Sequence, residues 1–224
     1  MGLPIDRRSY VKAFVGNTLL LAASLAAATM FVSLPATARE AGDILLRAGT
    51  HTVQPKSDNG EISALAADVE VDGASMFTFN LTYMLTANIG VELLAAAPFK
   101  HDIDIGGSTL GVTKHLPPTL SVIYAFNPGS KVTVYAGVGL NATLFFEEDL
   151  KGPLDAANLT LENSWGPAAL VGLDIALNDN WFINADVRWF DIDTKAKVTA
   201  PGLALEETVN IDPWALGVNV GYRF

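Results

Sequence analysis

The last stretch of the chain, residues 214–224, alternates strictly between apolar side chains and small or polar ones. The apolar positions are Trp214, Leu216, Val218, Val220, Tyr222 and Phe224. A period of two places these side chains on one face of a β-strand. Such a face must be buried, either in the core of a soluble sheet or in the hydrocarbon of a membrane. The remaining sequence distinguishes these two environments.

The same alternation recurs along the chain and predicts eight strands. Their approximate bounds are 44–49, 77–85, 89–97, 119–126, 134–141, 165–175, 183–189 and 214–224. Three of the connections are short, namely those at 86–88, 127–131 and 178–180. The others are longer and more polar. Short turns on one side and long loops on the other are typical of an outer-membrane barrel.

Aromatic residues mark both ends of the predicted strands. Near the short turns lie Tyr83, Tyr124, Phe126, Trp181, Tyr222 and Phe224, and near the long loops lie Phe99, Trp165 and Trp189. Two aromatic girdles flank the apolar band of a membrane barrel, whereas a secreted β-sandwich, the alternative, requires neither. The sequence therefore predicts an all-β fold, an eight-stranded antiparallel up-and-down transmembrane β-barrel with short periplasmic turns and longer extracellular loops.

The beginning of the chain has the pattern of a secretory signal peptide. A basic segment at 7–12 precedes an almost wholly apolar or small stretch at 14–34, and residues 36–38 form an Ala-x-Ala cleavage pattern. We therefore predict a cleaved signal peptide over 1–38 and a barrel domain over 39–224, with an uncleaved membrane anchor as the alternative. Beyond this stretch no run approaches the ~20 apolar residues that a spanning helix needs.

Composition excludes several classes of partner. The formal net charge is −10, which argues against nucleic acid as a ligand. The chain has no cysteine, so disulfides and thiolate metal sites are excluded. Its three histidines do not show the H-x₃₋₅-H spacing of a zinc site. We predict neither a metal nor a cofactor.

Six segments closely resemble the outer membrane protein W family. They are LTYMLTANIGVELLAAAPFKH (81–101), KHLPPTLSVIY (114–124), YAGVGLNATLFF (135–146), SWGPA (164–168), FDIDT (190–194) and DPWALGVNVGYRF (212–224). The resemblance runs from Ala41 to Phe224 and implies a barrel in the bacterial outer membrane. Family members are associated with the passage of small hydrophobic molecules, and some serve alkane uptake. The terminal aromatics Tyr222 and Phe224 resemble the signal by which the barrel-assembly machinery recognises its substrates.

The lumen of an eight-stranded barrel is only just wide enough for its own side chains. Alternation directs six charged residues inward: Arg47, Glu92, Asp174, Asp186, Arg188 and Arg223. Their charges balance, which predicts a plug of ion pairs; a charged constriction for a polar solute is the alternative. Inward apolar residues predict a funnel that opens outward: Leu94, Ala96, Ile123, Ala168 and Leu170.

The family resemblance also implies a gate. Members are thought to narrow the lumen with an apolar residue on the third strand and an aromatic residue on the seventh. The matching positions are Leu94 and Arg188, and we group Ile123 and Leu170 with them as lumen residues. Leu94 fits the family pattern, but Arg188 departs from it, which argues against a purely hydrophobic gate.

Three prolines fall near the long-loop ends of two neighbouring strands. Pro98 belongs to the third strand, and Pro117 and Pro118 belong to the fourth. Proline cannot donate to a strand ladder, and a closed barrel has no free edge on which to place it. We predict that this seam is unpaired and lets an apolar solute leave sideways into the bilayer. The alternative is that the prolines only flare the strands above the membrane.

These observations predict an outer-membrane channel for the passive uptake of small hydrophobic molecules. The alternative is a structural or receptor barrel that contacts phage, toxins or host surfaces and conducts no solute. Outer-membrane lipid and lipopolysaccharide are the expected surroundings. The loop acids at 147–149 would reach lipopolysaccharide through divalent cations, or are simply solvated.

The predicted loops carry two further candidates. His101, Ser108 and Asp102 or Asp104 share a loop region and could be assembled into a catalytic triad. No nucleophile motif surrounds any serine, so we predict that the protein is not an enzyme. The spacing of apolar residues within 61–70 predicts a short amphipathic helix that could cap the lumen.

Overall fold

The computed structural model describes residues 39–57, 59, 61–62, 67–152 and 155–224. The predicted signal peptide, 1–38, lies outside the described residues, and its cleavage stays a prediction. In chain order the described strands are β1 (Ile44–Gln54), β2 (Glu61–Ile62), β3 (Ala67–Val71), β4 (Ala74–Met84), β5 (Ile89–Ala96), β6 (Phe99–Ile105), β7 (Ser108–Leu116), β8 (Thr119–Ala125), β9 (Val132–Leu150), β10 (Asn158–Leu161), β11 (Ser164–Ala176), β12 (Trp181–Phe190), β13 (Asp193–Ala200), β14 (Leu203–Asn210) and β15 (Trp214–Arg223). In this part of the chain, no helix has both the length and the apolarity of a membrane span.

Eight of these strands close into an antiparallel barrel, which confirms the predicted fold. Around the barrel the order is β1, β4, β5, β8, β9, β11, β12 and β15. The ring closes where β15 pairs with β1, from Arg223 opposite Leu45 to Trp214 opposite Gln54. Closure leaves these strands without an exposed sheet edge, which is the arrangement that lipid requires.

The apolar face of β15 points away from the lumen. Val218 is 59% exposed, whereas its neighbour Asn219 is 2% exposed. At the periplasmic end, the ring of Tyr222 contacts those of Trp181 and Phe224 edge to face, at centroid distances of 4.9 and 4.7 Å. Apolar side chains this exposed are stable in hydrocarbon rather than in water. The alternation at the end of the chain therefore marks a lipid-facing strand.

Above the membrane the long loops continue as strands, and together they form the extracellular extension. The upper half of β9 pairs with β7, β7 with β6, and β6 with β3, while β10, β13 and β14 form a separate sheet. The helix predicted within 61–70 is wrong where the structure describes this segment, which forms β2 and β3. Val69 is buried and lies opposite Ile105, so strand pairing overrides the helical spacing.

Glycines inside the barrel make room for large side chains from neighbouring strands. A Cβ atom on Gly172 would lie 2.4 Å from the ring of Tyr135, and one on Gly217 would lie 2.3 Å from Nε2 of His51. Both Tyr135 and His51 are buried in the lumen. An eight-stranded barrel has little interior volume, so these rings fit only where the facing position has no side chain.

We expect Gly172→Val to destabilise the barrel by about 1–3 kcal/mol or more, because the new side chain overlaps the Tyr135 ring and overpacks the lumen. Urea unfolding in lipid vesicles, followed by the mobility shift between folded and unfolded barrel, measures the change. Ala169→Val is the matched control, because Ala169 is exposed on the lipid face of the same strand. Equal stability of the two variants would contradict this packing account.

Candidate functional site

A charged network closes the lumen at the level of Glu92. The Glu92 carboxylate lies on β5 and binds Arg47 on β1 and Arg188 on β12, with N···O distances of 3.1 and 2.9 Å. Three strands separate β5 from β12 in either direction around the barrel, so the pair with Arg188 joins opposite walls. All three side chains are 0–1% exposed. The lumen is therefore filled by protein at this level.

Two further carboxylates complete the network. Asp174 binds Nη2 of Arg47 at 2.8 Å and also binds Arg39, which precedes the first strand. Asp186 binds Nε of Arg188 at 2.7 Å and Nε2 of His51 at 2.9 Å. We call the six charged residues the charged floor: Arg39, Arg47, Glu92, Asp174, Asp186 and Arg188. Three cations face three anions, as buried charges require.

The structure brings together most of the residues that the sequence assigns to the plug. Arg188 joins this network, although the family resemblance placed it at a gate. Arg223 lies apart from it: its Nη2 donates to the carbonyl oxygen of Asp179 at 2.6 Å, and its Nη1 lies 3.8 Å from Asp43 at the periplasmic rim. The third cation of the network is therefore Arg39, whereas alternation predicted Arg223.

Sequence reasoning missed three members of this lumen layer. His51 and Tyr135 have the inward parity of their strands, as Arg47 has on β1, so alternation could have found them. Tyr135 accepts a hydrogen bond from Asn184 at 2.8 Å. Arg39 precedes the first strand, and no periodic signal points to it.

The predicted lumen residues divide between two apolar clusters. Ile123 and Leu170 pack with Tyr135 in a small buried cluster inside the barrel. Leu94 belongs to a larger cluster with Phe145 and Phe190, which reaches into the extracellular extension. These residues therefore do not form one ring around the lumen.

An apolar cavity of about 80 Å³ lies in the extracellular extension, within an empty space of about 960 Å³ that includes its mouth. Aliphatic and aromatic side chains dominate its wall, among them Val53, Val71, Ile103, Phe145, Leu161, Ile192, Val209 and Ile211. A few polar side chains also reach it: His101, Thr113, His115, Thr143, Thr194 and Glu207. The cavity suits an apolar ligand with few polar groups.

The barrel strands separate beside this cavity. Pairing of β5 with β8 ends at Leu94, and pairing of β6 with β7 resumes at Phe99. Residues 95–98 and 116–118 face each other without a ladder pair. We call this gap the proline seam, because it contains Pro98, Pro117 and Pro118.

Each side of the proline seam is hydrogen-bonded to the strand on its far side. Nδ2 of Asn141 donates to the carbonyl oxygen of Pro117 at 3.2 Å and to Oγ1 of Thr119 at 2.9 Å. On the opposite side, the Ala97 amide donates to the carbonyl oxygen of Phe77 at 3.0 Å. The gap is therefore an ordered feature that lies between two anchored strands.

The proline seam lies at the upper edge of the lipid-facing band. Leu93 and Leu120 are the outward apolar residues below it and are 45% and 57% exposed. Leu144, which pairs with Leu116 at the seam, is 40% exposed. The unpaired stretch is therefore next to the outer leaflet.

The other candidate sites hold no reactive arrangement among the described residues. Nδ1 of His101 bonds the carbonyl oxygen of Asp72 at 2.5 Å, and no described hydrogen bond links it to Ser108. At the outer rim, ligand atoms of Asp191, Asp193 and Asp212 lie within 4.8 Å of one another. Lys56 already binds Asp212 at 3.0 Å, so one of these carboxylates is neutralised.

Comparison with known proteins gives one consistent result. A family model described as the OmpW family matches residues 40–224. Outer membrane protein W of Salmonella typhi is 40% identical over 203 residues, which cover 88% of this chain and 96% of that protein. The crystal structure of the outer membrane protein OprG from Pseudomonas aeruginosa matches with a TM-score of 0.79 at 34% identity, covering 84% of this chain and 99% of that chain.

A more distant relative has an informative name. It is the dibenzothiophene metabolism operon protein PahQ of Pseudomonas aeruginosa, which is 24% identical over 151 residues. The match covers 66% of this chain and 70% of that protein. Dibenzothiophene is a fused aromatic compound without ionisable groups.

Replacement of Glu92 by Leu should cost about 3–5 kcal/mol of stability, because it leaves buried arginines without their shared carboxylate. Arg188→Leu should also destabilise, but the double variant should lose less than the sum of the two single losses, since it removes both charges together. Urea unfolding of the four proteins in lipid vesicles measures this coupling. Additive losses would mean that the 2.9 Å pair contributes no coupling energy.

Burial, with a smaller effect of His101, lowers the pKa of His115 to about 3. An unfolded histidine has a pKa of about 6.5, so the unfolded chain binds the proton more readily. Stability present above pH 6.5 should therefore be lost as the pH falls toward 3, by up to about 1.4 kcal/mol per pH unit for this group.

His115→Phe should flatten this decline in unfolding free energy between pH 7 and pH 4. Thr113→Val, which alters the same strand and keeps both histidines, should retain the wild-type slope. An unchanged slope in His115→Phe would contradict the assignment.

Proposed function

The chain belongs to the OmpW family of bacterial outer-membrane barrels, and from that premise we propose that it carries small apolar molecules passively from the cell surface into the outer membrane. One observation supports the proposal above all: an apolar cavity lies above the charged floor and beside the proline seam. His115 lines the cavity and forms the first ladder pair beyond the seam with Phe99, so a solute would reach the seam by passing this pair.

The charged floor blocks a direct path to the periplasm. Arg47 and Glu92 are 0% exposed, and a molecule crossing this layer would have to separate buried ion pairs. Breaking a buried pair costs about 3–5 kcal/mol. An apolar solute offers these charges no replacement partner, so it would not recover this energy.

The proline seam offers a less costly path. No ladder hydrogen bond joins residues 95–98 to residues 116–118, so strand pairing does not have to be broken. An apolar molecule that leaves water for hydrocarbon gains about 0.8 kcal/mol per CH₂ group. The free energy of transfer therefore favours lateral exit into the bilayer over passage through the charged floor.

The solute class follows from the cavity wall and from one relative. The wall is mainly aliphatic and aromatic, which favours uncharged hydrocarbon-like molecules. The name of PahQ connects that relative with dibenzothiophene. We propose the same class of uncharged, hydrocarbon-like solutes for this chain, and we propose no catalytic role for the chain.

The remaining sequence-based assignments are part of the same proposal. Residues 1–38 direct the chain across the inner membrane and are then removed. Tyr222 and Phe224 serve as the signal for the barrel-assembly machinery. Acids at 147–149 contact lipopolysaccharide through divalent cations, although Glu147 binds Lys114 in this structure.

The first test is a comparison of uptake in bacteria with and without the protein. The solutes form a series from a small sugar to octane. We expect octane uptake to accelerate and sugar uptake to stay unchanged, because the floor excludes polar solutes from a through path. Acceleration of the sugar alone would refute the lateral route, and no effect on any solute would favour the receptor alternative.

A reversible crosslink tests the proline seam directly. The chain has no native cysteine, so Ala95→Cys with Pro118→Cys places a single disulfide one step beyond the last ladder pair. Oxidation should reduce octane uptake to the level of cells lacking the protein, and a reductant should restore it. The control is Val187→Cys with Leu216→Cys, a lipid-facing ladder pair of β12 and β15. If oxidation has no effect at the seam, lateral exit there is wrong.

A further inference from the structure

Two histidines stack inside the apolar cavity, and hydrocarbon transport gives them no role. The rings of His101 and His115 lie 4.8 Å apart between centroids, at an interplanar angle of 8°. Phe99 stacks on His115 at 5.5 Å, and Phe145 contacts it at 5.8 Å. The stack lies immediately above the proline seam, since Phe99 and His115 form the first ladder pair beyond it.

His101 presents a hydrogen-bond acceptor. Its Nδ1 lies 2.5 Å from the carbonyl oxygen of Asp72, and a carbonyl can only accept, so Nδ1 carries the proton. In a neutral imidazole the other nitrogen is then a lone-pair acceptor. That atom, Nε2, is buried and has no partner among the described residues, and the His101 side chain is 2% exposed. Burial lowers the pKa of His101, which keeps the ring neutral.

His115 is the second histidine that lines the cavity at this point. It is 5% exposed and, within the part of the chain that the structure describes, makes ring contacts but no hydrogen bond. A neutral imidazole offers one donor and one acceptor. The two rings are nearly parallel, so an oxygen that lies in the plane of the His101 ring lies outside the plane of the His115 ring. His115 therefore offers such an oxygen a ring contact rather than a second hydrogen bond.

We propose that His101 and His115 form a binding site for the hydroxyl group of an otherwise apolar molecule, such as a medium-chain alcohol or a phenol. The hydroxyl donates to Nε2 of His101, while the ring of His115 and the apolar cavity wall surround the hydrocarbon. This inference rests on the proposed function, whose solute class it narrows.

The same chemistry disfavours two related solutes. An alkane fills the apolar space but leaves the His101 acceptor unpaired, and sites with buried polar groups discriminate against ligands that cannot pair them. A carboxylate has no proton to donate and would face the Nε2 lone pair. The site therefore selects an uncharged molecule with a hydrogen-bond donor.

Nitrogen NMR of the full barrel in lipid nanodiscs tests the site without relying on transport. The chain has three histidines, so ¹⁵N-histidine labelling gives a simple spectrum, and His101→Phe identifies the His101 signals. We expect 1-octanol to shift the Nε2 resonance of His101 upfield, because its lone pair then accepts a hydrogen bond. Octane and octanoate should produce no such shift. An unchanged resonance with 1-octanol would overturn the site.

Uptake of the same molecules provides the second readout. In His101→Phe, the preference for 1-octanol over octane should fall by roughly 2–10-fold, the contribution of one hydrogen bond. Thr194→Val removes a cavity hydroxyl from β13, which does not carry the stack, and should keep the wild-type preference. An unchanged preference in His101→Phe would contradict the site.

The two readouts separate this inference from the proposed function. A resonance shift with 1-octanol, together with no uptake of either solute, would support the site and overturn transport. Uptake of both solutes without any shift would support transport and overturn the site. The gel mobility of folded barrel verifies that each variant is folded before either measurement.

Discussion

The ion pair between Glu92 and Arg188 sets the conditions for the rest of the structure, because it joins opposite walls of the barrel. A 2.9 Å contact across the full ring means that side chains occupy the whole width of the lumen there. Buried charges must be matched, and this requirement brings Asp186, Arg47, Asp174 and finally Arg39 into one neutral network. Since the floor closes the barrel at its own level, the space above it can remain apolar and partly empty.

The proline seam follows from the same hydrogen-bond requirements. A gap between strands at the lipid boundary would normally leave backbone N–H groups without partners, which hydrocarbon penalises heavily. Proline has no N–H to leave unpaired, and three of the residues in this gap are prolines. Neighbouring strands also supply hydrogen bonds to polar groups of this stretch. For example, Nδ2 of Asn141 donates to the carbonyl oxygen of Pro117. The prolines thus lower the cost of leaving this stretch unpaired.

Alternation was sufficient to predict the eight strands, their outward faces and most of the charged floor, because a barrel wall enforces a period of two on every strand. It failed where contacts are not periodic. Arg39 reaches the floor from outside any strand, and the helix expected within 61–70 gives way to pairing between β3 and β6. The stacking of His101 on His115 depends on the register of β6 with β7, which includes an irregularity. Register of this kind is set by tertiary contacts, so single-sequence patterns do not contain it.

The length of β9 has a consequence for access to the cell surface. Its 19 residues extend about 63 Å along the strand at ~3.3 Å per residue. With a tilt of about 40°, the strand rises ~48 Å, whereas the apolar band of such barrels is only ~25 Å tall. The upper part of β9 therefore extends beyond the apolar band, where the outer leaflet carries the sugars of lipopolysaccharide. An apolar molecule that reaches the cavity in this extension would be surrounded by protein side chains rather than by those sugars.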